Sequence, residues 1–179
     1  MVKKIAIALL CTALGSSLYA GNYDSESKGF LGLELGAATV QGDRFFDTGL
    51  NAGYEGDAVE YGFRIGAQTN EWRAMFVFDY YDSSDDDQNL EKSFLMVDYF
   101  FLESDSDVNF RPFIGANVGY VNYESTFVEA SDFAYGGQIG FAVEVAEVMD
   151  VDLSYRYSLS NAEELDNMGS IVLGINYLY

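Results

Sequence analysis

Histidine is absent from the sequence, and with it the one side chain whose ordinary pKa lies near neutrality. General acid–base work at neutral pH would need a carboxylate or lysine shifted far from its usual range, and imidazole-based metal sites are excluded. The single cysteine, Cys11, sits in a leader-like segment, so the chain beyond it holds no thiol and no disulfide. One proline, Pro112, spares the N–H donors that long β-ladders require. Bases are scarce: beyond residue 20 only 7 remain against 29 acids, a net charge of −22, which makes nucleic acid a poor partner. Past the leader no apolar run approaches the ~20 residues of a spanning helix, so any membrane structure must be built from strands.

The leader has three parts: Lys3 and Lys4, the apolar stretch Ile5 to Leu14, and Leu18-Tyr19-Ala20 before Gly21. This is the layout of a secretory signal, expected to occupy 1–20 and be cleaved, leaving one domain over 21–179. The high charge does not mean disorder, because 49% of residues are hydrophobic and 16% aromatic. Fourteen tyrosines and fourteen phenylalanines favour β-structure.

Alternation predicts eight strands, at 29–40, 58–68, 71–81, 91–102, 110–122, 133–146, 149–159 and 169–179. Each is about the 9–11 residues that a tilted strand needs to cross a bilayer. The last puts Ile171, Leu173, Ile175, Tyr177 and Tyr179 on one face. Thr69-Asn70 and the stretch around Glu147 read as tight turns at the periplasmic end, with 103–109 a longer one. The polar stretches 41–57, 82–90, 123–132 and 160–168 read as outer loops. The expected fold is all-β: an eight-stranded antiparallel up-and-down transmembrane β-barrel.

Apolar residues such as Leu31, Phe63, Phe76, Leu95, Ile114, Ile139 and Leu153 set the outward face of each strand. Charges then fall on the inward face: Glu34, Glu60, Arg64, Arg73, Asp79, Lys92, Asp98, Glu144, Asp152 and Arg156. A soluble sandwich would also alternate, but here aromatics gather at the segment ends. Tyr61, Tyr80, Tyr120, Tyr135 and Tyr157 form one band. Trp72, Tyr99, Phe101, Phe110, Tyr177 and Tyr179 form another, as in the two interfacial girdles of a membrane barrel.

The third and fourth strands fix a register. If facing residue numbers sum to 171, Arg73 meets Asp98, Asp79 meets Lys92 and Trp72 meets Tyr99. Inward glycines at 32, 36, 62, 66, 115, 119, 140 and 174 leave room for long Arg and Glu chains to cross a bore that side chains can fill. Two readings of the lumen stay open. One is a plug of ion pairs; the other is a narrow gated pore in which Arg64, Arg73 and Arg156 exchange acidic partners. The acidic run Asp82-Ser-Ser-Asp-Asp-Asp87 lacks the glycine and glutamate of a helical-loop calcium site and reads as solvated. No metal or cofactor is expected.

The segment Arg111-Pro-Phe-Ile-Gly-Ala-Asn-Val-Gly-Tyr120 resembles a strand of small barrels in the OmpA/OmpX/opacity-protein group. Val151-Asp-Leu-Ser-Tyr-Arg-Tyr157 resembles the penultimate strand of that group, and the end at Tyr179 resembles its assembly signal. The resemblance implies a bacterial outer-membrane location and recognition by the barrel-assembly machinery through the last strand. No peptidoglycan-binding domain is expected after that strand. Small outer-membrane enzymes resemble one another in using a histidine, so an enzyme is not expected. The expected function is a non-enzymatic barrel with a plugged polar lumen, serving envelope integrity and surface-loop contacts; a narrow pore or small-molecule conduit is the alternative. Expected partners are outer-membrane lipid and lipopolysaccharide, with a host or surface ligand at loops 41–57 (Arg44, Phe45, Phe46) and 123–132 (Phe127). A monomer is expected.

Overall fold

The computed structural model describes residues 27–45, 51–83, 88–101, 110–125, 128–161 and 165–179. The expected leader at 1–20 and the turn at 103–109 lie outside them. Eight strands run in chain order: β1 (Lys28–Phe45), β2 (Asn51–Gln68), β3 (Trp72–Ser83), β4 (Gln88–Phe100), β5 (Phe110–Ser125), β6 (Val128–Ala146), β7 (Met149–Ser160) and β8 (Asn167–Leu178). Each pairs antiparallel with its sequence neighbours, and β1 pairs with β8, from Phe30↔Leu178 to Gln41↔Asn167. The ring is closed and has no edge around its waist.

Side-chain alternation does the sorting. Odd residues of β1 (Leu31, Leu33, Leu35) point outward and are exposed, whereas Gly32, Glu34 and Gly36 point inward and are buried. The same rule holds in β7, where Leu153, Tyr155 and Tyr157 face out and Asp152, Ser154 and Arg156 face in. Leu153 is 38% exposed and Arg156 only 3%, the reverse of a water-soluble protein. A surface of this kind is stable in hydrocarbon.

The β3–β4 ladder has the anticipated register, with Arg73↔Asp98, Asp79↔Lys92 and Trp72↔Tyr99 as Cα partners. The two tight turns also fall where expected. At the first, the backbone N–H of Trp72 donates to Thr69 Oγ1 at 3.0 Å, and that of Thr69 to the Trp72 carbonyl at 2.7 Å. At the second, Glu147 and Val148 join β6 to β7 beside a bulge between Glu144 and Ala146.

The outer loops require correction. The β1–β2 ladder continues to Phe45↔Asn51, β3 and β4 pair to Ser83↔Gln88, and β5 and β6 to Ser125↔Val128. Most of 41–57, 82–90 and 123–132 is therefore strand. Above the bilayer a ladder needs no apolar face, only paired backbone groups, so polarity does not end it. Eighteen residues of β1 span about 60 Å at ~3.3 Å each, or roughly 40 Å after a 45° tilt, more than the ~30 Å of hydrocarbon. The β1–β2 hairpin thus projects beyond the membrane on the side away from the tight turns.

Two layers fill the inside besides the charges. Phe100 and Phe113 pack edge-on, with centroids 5.8 Å apart, near the tight-turn end. Val40, Tyr81, Leu90, Val121, Ala134 and Met168 form a buried apolar layer near the other mouth. Leu165, from the β7–β8 connection, joins that layer and is fully buried. The connection is pinned by Asp166 N–H donating to the Gln41 carbonyl (3.0 Å) and Ser160 N–H donating to the Asp166 carbonyl (3.1 Å).

Leu153→Arg places a guanidinium against lipid at mid-depth. It is expected to lower folding stability in bilayers by about 2–4 kcal/mol, read from denaturant titration of heat-modifiable gel migration. Spin labels at Phe76 and Leu153 should report an apolar environment.

Candidate functional site

The inward charges meet in one column across the bore. Asp152 is its lower centre: Arg64 Nη2 donates to Oδ2 at 2.6 Å and Nη1 to Oδ1 at 3.2 Å, a bidentate pair. Arg73 Nη1 reaches the same Oδ2 at 2.9 Å, and Asn176 Nδ2 reaches it at 3.1 Å. Arg73 Nε also donates to Asp98 Oδ2 at 2.8 Å, while Gln138 Nε2 donates to Asp98 Oδ1 at 2.6 Å. The upper centre is Arg156, whose Nη1 donates to Glu34 Oε1 at 2.9 Å and to Asp79 Oδ2 at 2.8 Å. Lys92 Nζ pairs with Glu60 and lies 3.9 Å from Asp79. Glu34 joins the halves, since its Oε2 is 3.5 Å from Arg64 Nη1.

The facing pairs inferred for β3 and β4 are neighbours as drawn, yet the ionic partners are not all the same. Arg73 binds Asp98 and Lys92 stays 3.9 Å from Asp79, but Lys92 lies closer to Glu60 on β2, and Asp79 is shared with Arg156 on β7. Register fixes where a Cα sits; a long side chain in a narrow tube then chooses among every strand. Glu144 is the least enclosed of the ten charged residues singled out from the sequence, with its side chain 25% exposed and 3.5 Å from Arg111. The other nine are buried.

The sequence reading left out several members. Asp150 accepts from Gln68 Nε2 at 2.8 Å and from Asn176 Nδ2 at 2.5 Å, and lies 3.8 Å from Arg111. Arg111 stacks on Phe100, with Cζ 4.4 Å from the ring centroid, and Arg73 stacks on Phe113 at 4.7 Å. Parity carried the signal for both: Asp150 shares a face with Asp152, and Arg111 with Phe113 and Gly115. Leu165 gave none, because a loop leucine carries no periodicity.

The inward glycines are where these chains pass. A side chain at Gly174 would occupy the space of the Arg64 guanidinium, and one at Gly115 would meet the Asp98 carboxylate. Gly36 lies against Glu60, and Gly62 against Asp79 and Glu34. Small residues on one strand thus seat long ones from another.

Outside, the aromatic bands stand at both ends of the apolar belt. Tyr61 and Tyr80 stack at 5.5 Å in one band, where the Tyr120 hydroxyl donates to Ser131 Oγ at 2.8 Å. Tyr135 and Tyr157 belong to the same band and are exposed. In the other, Trp72 and Tyr99 lie 4.8 Å apart, Tyr99 and Phe101 5.6 Å, and Tyr177 and Tyr179 are exposed. Between the bands the surface is apolar. The side chains of Arg44, Phe45, Phe46 and Phe127 lie outside the described residues.

A closed antiparallel ring with an apolar waist, aromatic girdles and its ions inside is an integral membrane β-barrel. The chain belongs to the outer membrane protein β-barrel domain family, whose model matches residues 6–178. It is accordingly a protein of the bacterial outer membrane. Similar solved structures include Neisserial surface protein A, with a TM-score of 0.62 at 16% identity, covering 83% of this chain and 97% of that one. Outer membrane protein H from P. aeruginosa gives 0.59 at 21% identity, covering 85% and 99%. The outer membrane protein OprG from Pseudomonas aeruginosa gives 0.51 at 14%, covering 88% and 99%. No curated protein matches the chain in sequence.

Asp152→Ala removes the bidentate partner of the buried Arg64 and one of the two carboxylates that hold Arg73. It is expected to destabilise the barrel by about 3–5 kcal/mol, measured by urea unfolding in detergent. Gly174→Leu should abolish heat-modifiable folding, because the side chain and Arg64 cannot both fit.

Proposed function

We propose that this barrel is a closed, non-catalytic scaffold of the outer membrane. Its lumen holds the fold together, and its loop end makes the contacts by which it serves the envelope. The observation that carries the reading is the ion-pair column. Arg64, Arg73, Lys92 and Arg156 reach across the bore to carboxylates on other strands, beneath an apolar layer completed by Leu165. Opening a path through it would separate several buried pairs at once, each costly to break. Catalysis has no support in the residue set, which lacks the general base such chemistry would most readily use.

Outer-membrane lipid and lipopolysaccharide would surround the waist, and the monomer would be delivered by the barrel-assembly machinery through β8. Loops on a rigid scaffold are the natural seat of recognition.

A second reading, a narrow gated pore, draws on several buried polar atoms without a hydrogen-bond partner, among them Glu60 Oε1, Asp79 Oδ1 and Asn117 Nδ2. Such atoms are positions for water. Recording in planar bilayers separates the two. The closed scaffold predicts silence from the native protein and at most irregular leak from Arg156→Ala. Steady unitary conductance that shifts with Arg64→Ala or Arg156→Ala would establish the pore. Unaltered lipid A from a deletion strain, by mass spectrometry, is the expected result for a protein that does not modify it.

A further inference from the structure

The charges inside the barrel do not balance. Among the described residues, six carboxylates are buried there, on Glu34, Glu60, Asp79, Asp98, Asp150 and Asp152. Five cations are buried with them, on Arg64, Arg73, Lys92, Arg111 and Arg156. One negative charge is left over, between the apolar layer at one mouth and the Phe100–Phe113 pair at the other. A buried ion without a counter-charge is too costly to persist. The pairing shows where the excess lies. Asp98, Asp150 and Asp152 meet Arg64, Arg73 and Arg111 near the tight-turn end. Glu34, Glu60 and Asp79, nearer the other mouth, are left with Lys92 and Arg156.

Register brings two of these three acids together. Glu34 on β1 and Asp79 on β3 are both Cα partners of Gly62 on β2. Glycine puts nothing between them, and a Cβ at that position would run into both Asp79 Oδ1 and Glu34 Cγ. The two carboxyls lie within hydrogen-bond reach of each other. Both also accept from the same nitrogen, Arg156 Nη1, at 2.9 and 2.8 Å. No donor reaches Asp79 Oδ1, although that side chain is fully buried. Ionised carboxylates only accept hydrogen bonds and repel one another, so two of them meet at close range by sharing a proton.

We infer that Glu34 and Asp79 hold one proton between them at neutral pH, and that this proton is the sixth counter-charge of the lumen. It ties β1 to β3 across Gly62, while Arg156 ties both to β7. The other charges facing the pair are Glu60 and Arg64 on β2 and Lys92 on β4. The remaining walls offer neutral groups there: Asn117 on β5, Gln138 on β6 and Ser170 on β8. The inference rests on the closed-lumen reading, because water in an open pore would solvate the extra charge.

The missing histidine makes the test clean, since no side chain of ordinary pKa titrates between about pH 5 and 8. A carboxyl protonated in the barrel ionises on unfolding, so folding takes up one proton and stability falls as pH rises. The folding equilibrium constant should drop about tenfold per pH unit from about pH 6 through neutrality, by urea unfolding of the full barrel in zwitterionic detergent. Asp79→Asn copies the shape of the protonated acid and should flatten that slope. Infrared spectra at neutral pH should show a protonated-carboxyl carbonyl stretch that shifts in heavy water. The band should survive Glu144→Gln and vanish in both Asp79→Asn and Glu34→Gln, because whichever acid remains then ionises against its cations. A flat native slope, a missing band, or a slope set by sodium or potassium concentration overturns the proposal. Should the variants not fold, the native slope and spectrum still decide. Planar-bilayer conductance is read in parallel: a silent barrel with a flat slope sinks the shared proton alone, whereas steady conductance sinks the closed lumen.

Discussion

Everything in this molecule depends on one requirement: no backbone N–H or C=O may be left without a partner in hydrocarbon. Pairing of β1 with β8 from Phe30↔Leu178 to Gln41↔Asn167 meets it by abolishing the edge. Once the ring is closed, side chains have two destinations, and strict alternation assigns them. Leu33, Leu153 and Ile175 go to lipid; Glu34, Asp152 and Asn176 go to a bore too narrow for bulk water. The charges are then forced on one another, and matched pairing follows from confinement as much as from attraction.

Confinement also shapes the ends. Because five of the seven bases beyond residue 20 are buried against carboxylates in the lumen, the sequence of the polar outer segments retains only Arg44. At the opposite end Arg111 and Arg73 sit against Phe100 and Phe113, so that cations are held by ring faces as well as carboxylates.

Much of the fold was legible because a barrel wall obeys a period of two. The inward placement of Arg64, Arg73 and Arg156, the outward placement of Leu95 and Ile114, and the β3–β4 register all follow from counting residues. The reading faltered where that counting loses its physical basis. Above the membrane, polarity no longer distinguishes strand from loop, so alternation predicts a loop over 41–57 where the β1–β2 ladder continues out to Phe45↔Asn51. Asp150 and Arg111 share the inward parity but lie at strand ends, where alternation has barely begun and the signal is weak.

The sequence by itself determined the closed, membrane-spanning ring, which face of each strand meets lipid, and the two aromatic bands, since these depend only on local alternation and on the solvent a barrel must face. Tertiary structure alone decided who pairs with whom inside. Lys92 lies closer to Glu60 than to the facing Asp79, Arg156 reaches from β7 to Glu34 on β1 and Asp79 on β3, and Leu165 drops from a connection into the apolar layer. The reason is length: an arginine or lysine side chain is long relative to the bore, so its partner is set by the curvature of the whole ring and not by the strand beside it.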